Sequence, residues 1–119
     1  MNLQQLLFLK LSEECNEVGQ ECSKIIQFGL DEVYEPIGIS NRERLKRELQ
    51  DVFAIVQILN EELDLGFVPS PEAVEVKRAK HMYYAQYSKE LGTLTIKPVE
   101  EPVINNMHSK VQNSLKKGV

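Results

Sequence analysis

The sequence predicts an all-α fold: a helical bundle of three long helices, with a short C-terminal helix as one option for the tail, completed by oligomerisation. Three observations carry this. Apolar residues recur at three- and four-residue spacing over three long stretches. Capping residues bound those stretches. In the second stretch the apolar arc is too broad for a single neighbour, so it asks for packing on more than one flank, by this chain or another subunit.

The first helix is expected over residues 2 to about 28. Leu3, Leu7, Leu11, Val18, Cys22 and Ile25 form its stripe, no proline interrupts it, and Gly29 is its C-cap. Residues 30–39, with Pro36 and Gly38, form a linker. Ser40 followed by Glu43 is a capping box that opens the second helix. That helix runs to about Asp64 and ends at Gly66, with Leu45, Leu49, Val52, Val56, Leu59 and Leu63 along one side. Phe53, Ile55 and Ile58 widen the same side. Ser70 and Pro71 open the third helix, which runs to about Leu91 and closes at Gly92. Val76, Ala79, Tyr83 and Tyr87 form its apolar positions. This gives a domain over 1–92 and a tail or docking arm over 93–119, where Pro98 and Pro102 interrupt helical periodicity.

Composition narrows the function classes. The chain has 119 residues and a formal net charge of -4, so nothing in its balance asks for nucleic acid, whose binders carry a basic surface. No stretch is long and apolar enough for a membrane span, and the start lacks the basic region of a secretory signal. Cys15 and Cys22 lie two turns apart on one helix, roughly 10 Å of rise, too far for a disulfide. The expectation is a cytoplasmic protein with both thiols reduced at semi-apolar helix positions.

The carboxylates are the informative residues. At 100° per residue, Glu14 and Glu17 lie along the edge of the first helix's stripe, while Glu13 points further out. Glu48 falls inside the apolar arc of the second helix and Asp51 sits at its margin. One Glu-x-x-Glu pair on a helix is ordinarily a solvated face. Two pairs beside apolar arcs on consecutive helices are less ordinary, because carboxylates are rarely buried without a partner. If the helices pack antiparallel the pairs face each other, and their repulsion raises the carboxyl pKa values unless a cation neutralises them. All-oxygen ligands favour Mg²⁺, with Mn²⁺ as a substitute. A bound divalent ion suits phosphate chemistry. Lys77 and Lys80 are the candidates to complete the neutralisation, ahead of Lys24 and Lys97, and Tyr84 is the candidate to stack a base.

Glu13-Glu14-Cys15-Asn16-Glu17 and Glu48-Leu49-Gln50-Asp51 match Glu-Glu-x-x-Glu and Glu-x-x-Asp on consecutive helices. In these motifs the chain resembles the all-alpha nucleoside-triphosphate pyrophosphatases of the MazG-like kind, over roughly residues 3–91. The resemblance implies that Glu14, Glu17, Glu48 and Asp51 ligate magnesium and that Glu13 is a supporting acid. It implies hydrolysis of a (d)NTP to the monophosphate and pyrophosphate by a homo-oligomer, a dimer or tetramer. The longer linker with Pro36 and Gly38 departs from the family pattern. Two alternatives stay open: a phosphoribosyl-ATP pyrophosphohydrolase-like enzyme, and a non-catalytic helical interaction module.

Overall fold

A computed structural model describes residues 1–95, and the expectations for most of the tail fall outside them. Among the described residues the regular structure is three helices: α1 (Leu3–Phe28), α2 (Asn41–Leu63) and α3 (Pro71–Glu90). None is long and apolar enough to cross a membrane.

Local chemistry fixes each boundary. Asn2 caps α1: its Oδ1 accepts from the Gln5 N–H at 2.8 Å, and Gln5 Oε1 accepts in return from the Asn2 N–H at 2.9 Å. This reciprocal box satisfies two donors that a helix start leaves free. At the other end Gly29 adopts φ 103°, open to glycine at little cost, and its N–H reaches the Ile25 carbonyl. Ser40 caps α2 through the Glu43 N–H at 3.2 Å. The helix stops close to the expected bound of Asp64. It ends at Leu63, and Asp64 takes the left-handed conformation itself, at φ 52° and ψ 39°, which a short polar side chain tolerates. The Asn60 side chain then clamps the exit, donating to the Phe67 carbonyl at 2.9 Å and accepting from its N–H at 3.0 Å. Ser70 and Pro71 open α3 as expected, with Ser70 Oγ accepting from the Ala73 N–H.

The chain divides into two compact units, the first spanning Met1–Phe67 and the second beginning at Val68. In the first, α1 and α2 form an antiparallel hairpin. Its register is read from Glu21 pairing with Arg44 near one end and from Asn2, Leu3 and Leu7 sharing a cavity wall with Glu62 and Leu63 at the other. Its buried apolar side chains are Leu7 and Leu59, and Leu59 is completely enclosed. The predicted stripes run along this seam, but they are unevenly covered. Leu3, Leu49 and Phe53 are exposed, and so are Cys15 and Cys22, against the expectation of semi-apolar positions. In the second unit Ala79 is buried and Tyr83 half-buried, with the Tyr83 ring edge-on to Tyr84 at 5.2 Å. Tyr87 was expected in the core and is 54% exposed. Periodicity locates a helix face; it does not say how far that face is covered.

The segment between α1 and α2 is tightly bonded. Val33 and Ser40 form an antiparallel bridge, and the Ile37 and Gly38 N–H groups both donate to the Tyr34 carbonyl. Arg42 donates twice to Asp31, at 2.7 and 3.1 Å, which holds the Asp31 carboxyl below its usual range. Asn41 is 3% exposed and donates to the Gly29 carbonyl at 2.9 Å and to Glu32 Oε2 at 3.0 Å. Asn41→Ala leaves the Gly29 carbonyl without that donor in a half-closed setting. Denaturant unfolding of this variant is expected to show a loss of about 1–3 kcal/mol; a midpoint equal to wild type would mean that water replaces the amide at no cost.

Candidate metal centre

Glu14 and Glu17 leave α1 one turn apart, and Glu48 leaves α2 opposite them, because the antiparallel register sets this stretch of each helix side by side. The three offer carboxylate oxygens that all lie within 4.8 Å of one another. Glu14 and Glu48 are half-buried and Glu17 is exposed. Glu14 Oε2 is buried with no hydrogen-bond partner. The Glu14 carboxyl is held above its ordinary value by burial first, then by the charge of Glu17 and a hydrogen bond with it, with Asp51 and Glu13 adding to the push. Burial also raises Glu48 most, followed by its hydrogen bond with Glu17 and the charges of Glu17, Asp51 and Glu14.

The cluster therefore has an unmet electrostatic need, and its donors are all hard oxygens. It fits a divalent cation on both counts: the cation would relieve the repulsion and give the orphaned Glu14 oxygen a partner. Asp51 lies one turn along α2 from Glu48. It is close enough to push on Glu14 and Glu48 but falls outside the group of three. Glu13 points away and takes the ammonium of Lys10 at 2.7 Å. Lys77, Lys80 and Tyr84 belong to α3, in the second unit, while the carboxylates belong to the first.

The next rung of the hairpin joins groups that the sequence does not pair with one another. Glu21, only 4% exposed, accepts from Arg44 Nη2 at 2.9 Å and from Lys24 Nζ at 3.1 Å, both on Oε1. Arg44 precedes Glu48 by four residues and Glu21 follows Glu17 by four, so a cation–carboxylate rung is stacked directly on the acidic one. At 100° per residue Glu21 continues the Glu14–Glu17 edge, but no local rule shows its partner across the seam. The other basic residues at the start of α2 disperse as their positions around the helix require, Arg42 to Asp31 and Lys46 to Glu43.

No protein-family model, curated protein or solved structure matches this chain. Among the described residues the structure by itself establishes an all-α arrangement with a small acidic cluster capable of holding a metal ion.

Proposed function

We propose that this protein is a magnesium-dependent nucleoside-triphosphate pyrophosphohydrolase, converting a (d)NTP and water to a (d)NMP and pyrophosphate. The observation that carries the reading is the convergence of Glu14, Glu17 and Glu48 across the α1–α2 seam, with a buried Glu14 oxygen left without a partner. The resemblance of the two motifs to the MazG-like pyrophosphatases supplies the reaction. When bound, Mg²⁺ (or Mn²⁺) would withdraw charge from the phosphate chain and acidify a water. Glu14, Glu17 and Glu48 would hold the ion, with Asp51 completing the set. The excess negative charge of this cluster keeps a phosphate chain away until the cation is present, which makes activity strictly dependent on it. Glu13 would be a supporting acid at most, since it points away from the cluster and pairs with Lys10.

The exposed apolar side chains of the hairpin, among them Leu6, Phe8 and Leu9 on α1 and Leu49 and Phe53 on α2, favour a homo-oligomer, a dimer or tetramer in which a second copy covers them. The same surface favours a second reading, a non-catalytic interaction module. One experiment separates the two: pyrophosphate release from a panel of common and modified NTPs and dNTPs, with Mg²⁺ and with EDTA. Magnesium-dependent release from a subset is the expected result. No release together with no magnesium binding would leave the interaction module. No release with magnesium bound would direct the search to a biosynthetic substrate such as phosphoribosyl-ATP. We place the protein in the cytoplasm, in keeping with two unpaired, exposed cysteines.

A further inference from the structure

Charge on α1 is confined to one side. At 100° per residue Lys10, Glu13, Glu14, Glu17, Glu21 and Lys24, which are all the charged residues of the helix, fall within about 100° of arc. The remaining ~260° carries none. A helix ordinarily turns its charged residues away from its own core; here the side turned away from α2 is the uncharged one. That side is open. Phe8 is 50% and Ile26 86% exposed, Cys15 and Cys22 are exposed, and nothing lies within 4 Å of where a side chain on Gly19 would begin.

We propose that two copies of this chain pack α1 against α1, antiparallel, with Cys15 of each copy opposite Cys22 of the other, and that a low-molecular-weight disulfide converts these two thiol pairs into two inter-chain disulfides. The second copy as partner rests on the homo-oligomer reading. The face and the thiol pairing rest on α1 itself.

Position comes first. Cys15 and Cys22 stand two turns apart and about 20° from each other round the helix, so one line along α1 carries both. That line is about 90° round from Leu7 and Glu21, the two residues that α1 buries. Two contact lines a quarter-turn apart suit a helix at the corner of a four-helix bundle, and two α1–α2 hairpins supply the four helices.

Orientation follows from the order of residues. A two-fold axis between Val18 and Gly19 repeats every contact on both sides of itself. Cys15 then meets the partner's Cys22, Leu11 the partner's Ile26, and Val18 the partner's Gly19. Thiol faces thiol, apolar faces apolar, and a branched side chain faces the open space at a glycine. In this register Glu13 stands level with the partner's Lys24, and no two like charges share a level. A parallel pairing would set every glutamate of α1 level with its own copy, which a chain of net charge -4 disfavours.

The thiols give this face a chemistry of its own. The chain has two cysteines, and roughly 10 Å of helix rise separates them, so a disulfide that the chain makes with itself joins two copies. The thiolate of Cys15, its proton lost to solvent, attacks the small disulfide, expels one small thiol and leaves a mixed disulfide. The thiolate of the partner's Cys22 attacks the Cys15 sulfur and expels the second small thiol. Two protein thiols are oxidised and one small disulfide is reduced for each bond. In a reducing compartment the pairs stay open, and the bonds form only when the poise shifts.

The test treats the full chain with oxidised glutathione, reads non-reducing gels and peptide masses, and measures sedimentation in reductant. The expected result is a dimer in reductant, and a covalent dimer after oxidation whose peptides join Cys15 to Cys22. Cys15→Ser and Cys22→Ser, both at exposed positions, should each give no covalent dimer alone. Mixing the two variants should restore it, through the one remaining Cys15–Cys22 pair. Single variants that cross-link as wild type does would overturn the proposal, because they would join like cysteines. So would a mixture that fails to cross-link. A dimer in reductant that yields only glutathione adducts sinks this face and leaves the homo-oligomer standing. A chain that is monomeric in reductant and yields only adducts sinks both.

Discussion

Replacing Glu48 by Gln is expected to lower magnesium-dependent pyrophosphate release by about a hundredfold or more while circular dichroism shows the helix content of wild type. Glutamine keeps the volume of the side chain and loses the charge. Charge stabilisation at a metal is worth several kcal/mol of barrier, and each 1.36 kcal/mol is tenfold in rate. The same variant has a second, opposite signature in the absence of metal. Burial and the neighbouring acids hold the Glu14 and Glu48 carboxyls above their ordinary values in the folded chain. Between the ordinary value and the raised one, the folded state therefore binds more protons than the unfolded state. Metal-free stability is greatest below the ordinary carboxylate pKa and falls as pH rises through the raised values. Once these carboxyls are ionised the wild type bears their repulsion, and Glu48→Gln bears less of it. The variant should melt no lower than wild type in EDTA and should show a shallower downward slope with pH, because the Glu14 part of it remains. Adding Mg²⁺ reverses the order. A ligand at a hundredfold excess over its Kd stabilises the folded state by about 2.7 kcal/mol, and only the wild type gains it in full. A Glu48→Gln protein that melts well below wild type in EDTA, with no difference in magnesium response, would make Glu48 a structural residue.

The parts of this molecule that were legible in its sequence are those decided within one turn of helix. Ser40 with Glu43 and Ser70 with Pro71 announce α2 and α3 because a cap bonds to a residue three positions on. Asn2 with Gln5 is the same device. A helix taken to begin at Asn2 itself leaves that residue no role as a cap. Glu14–Glu17 and Glu48–Asp51 could be placed on helix faces from a rotation of 100° per residue. Raised pKa values were expected from convergence, and Glu14 and Glu48 have them. What the sequence did not reveal depends on register between helices. Arg44 meets Glu21 across 23 residues, and no local rule selects it from Arg42, Arg44, Lys46 and Arg47. A cavity beside Tyr34 is hidden for a related reason: its walls come from a helix end, a loop and a helix start that meet only once Asn41 has tied Gly29 to Glu32.

Leu59→Ala should be the most destabilising apolar truncation in the first unit, by about 2–5 kcal/mol in denaturant unfolding. Leu59 has no exposed surface, whereas Leu7 keeps 7% and the other large apolar residues of α1 and α2 keep more. A hairpin of two helices has few ways to collapse around a void, so the cavity contribution adds to the lost transfer free energy. Small domains are stable by only about 5–15 kcal/mol, so a loss of this size leaves the hairpin near its unfolding threshold. The contrast with Phe53→Ala makes the prediction specific. Phe53 is the larger side chain on the same helix, yet it is 56% exposed, and within a single chain its truncation should cost far less than that of Leu59. If the protein is a homo-oligomer that covers Phe53, the cost of Phe53→Ala becomes dependent on protein concentration, because subunit association contributes to stability by mass action. Leu59→Ala should show its loss at every concentration. A pair of variants that both lose about the same stability, independent of concentration, would mean that Phe53 is buried by this chain itself, and would count against a second copy covering that face.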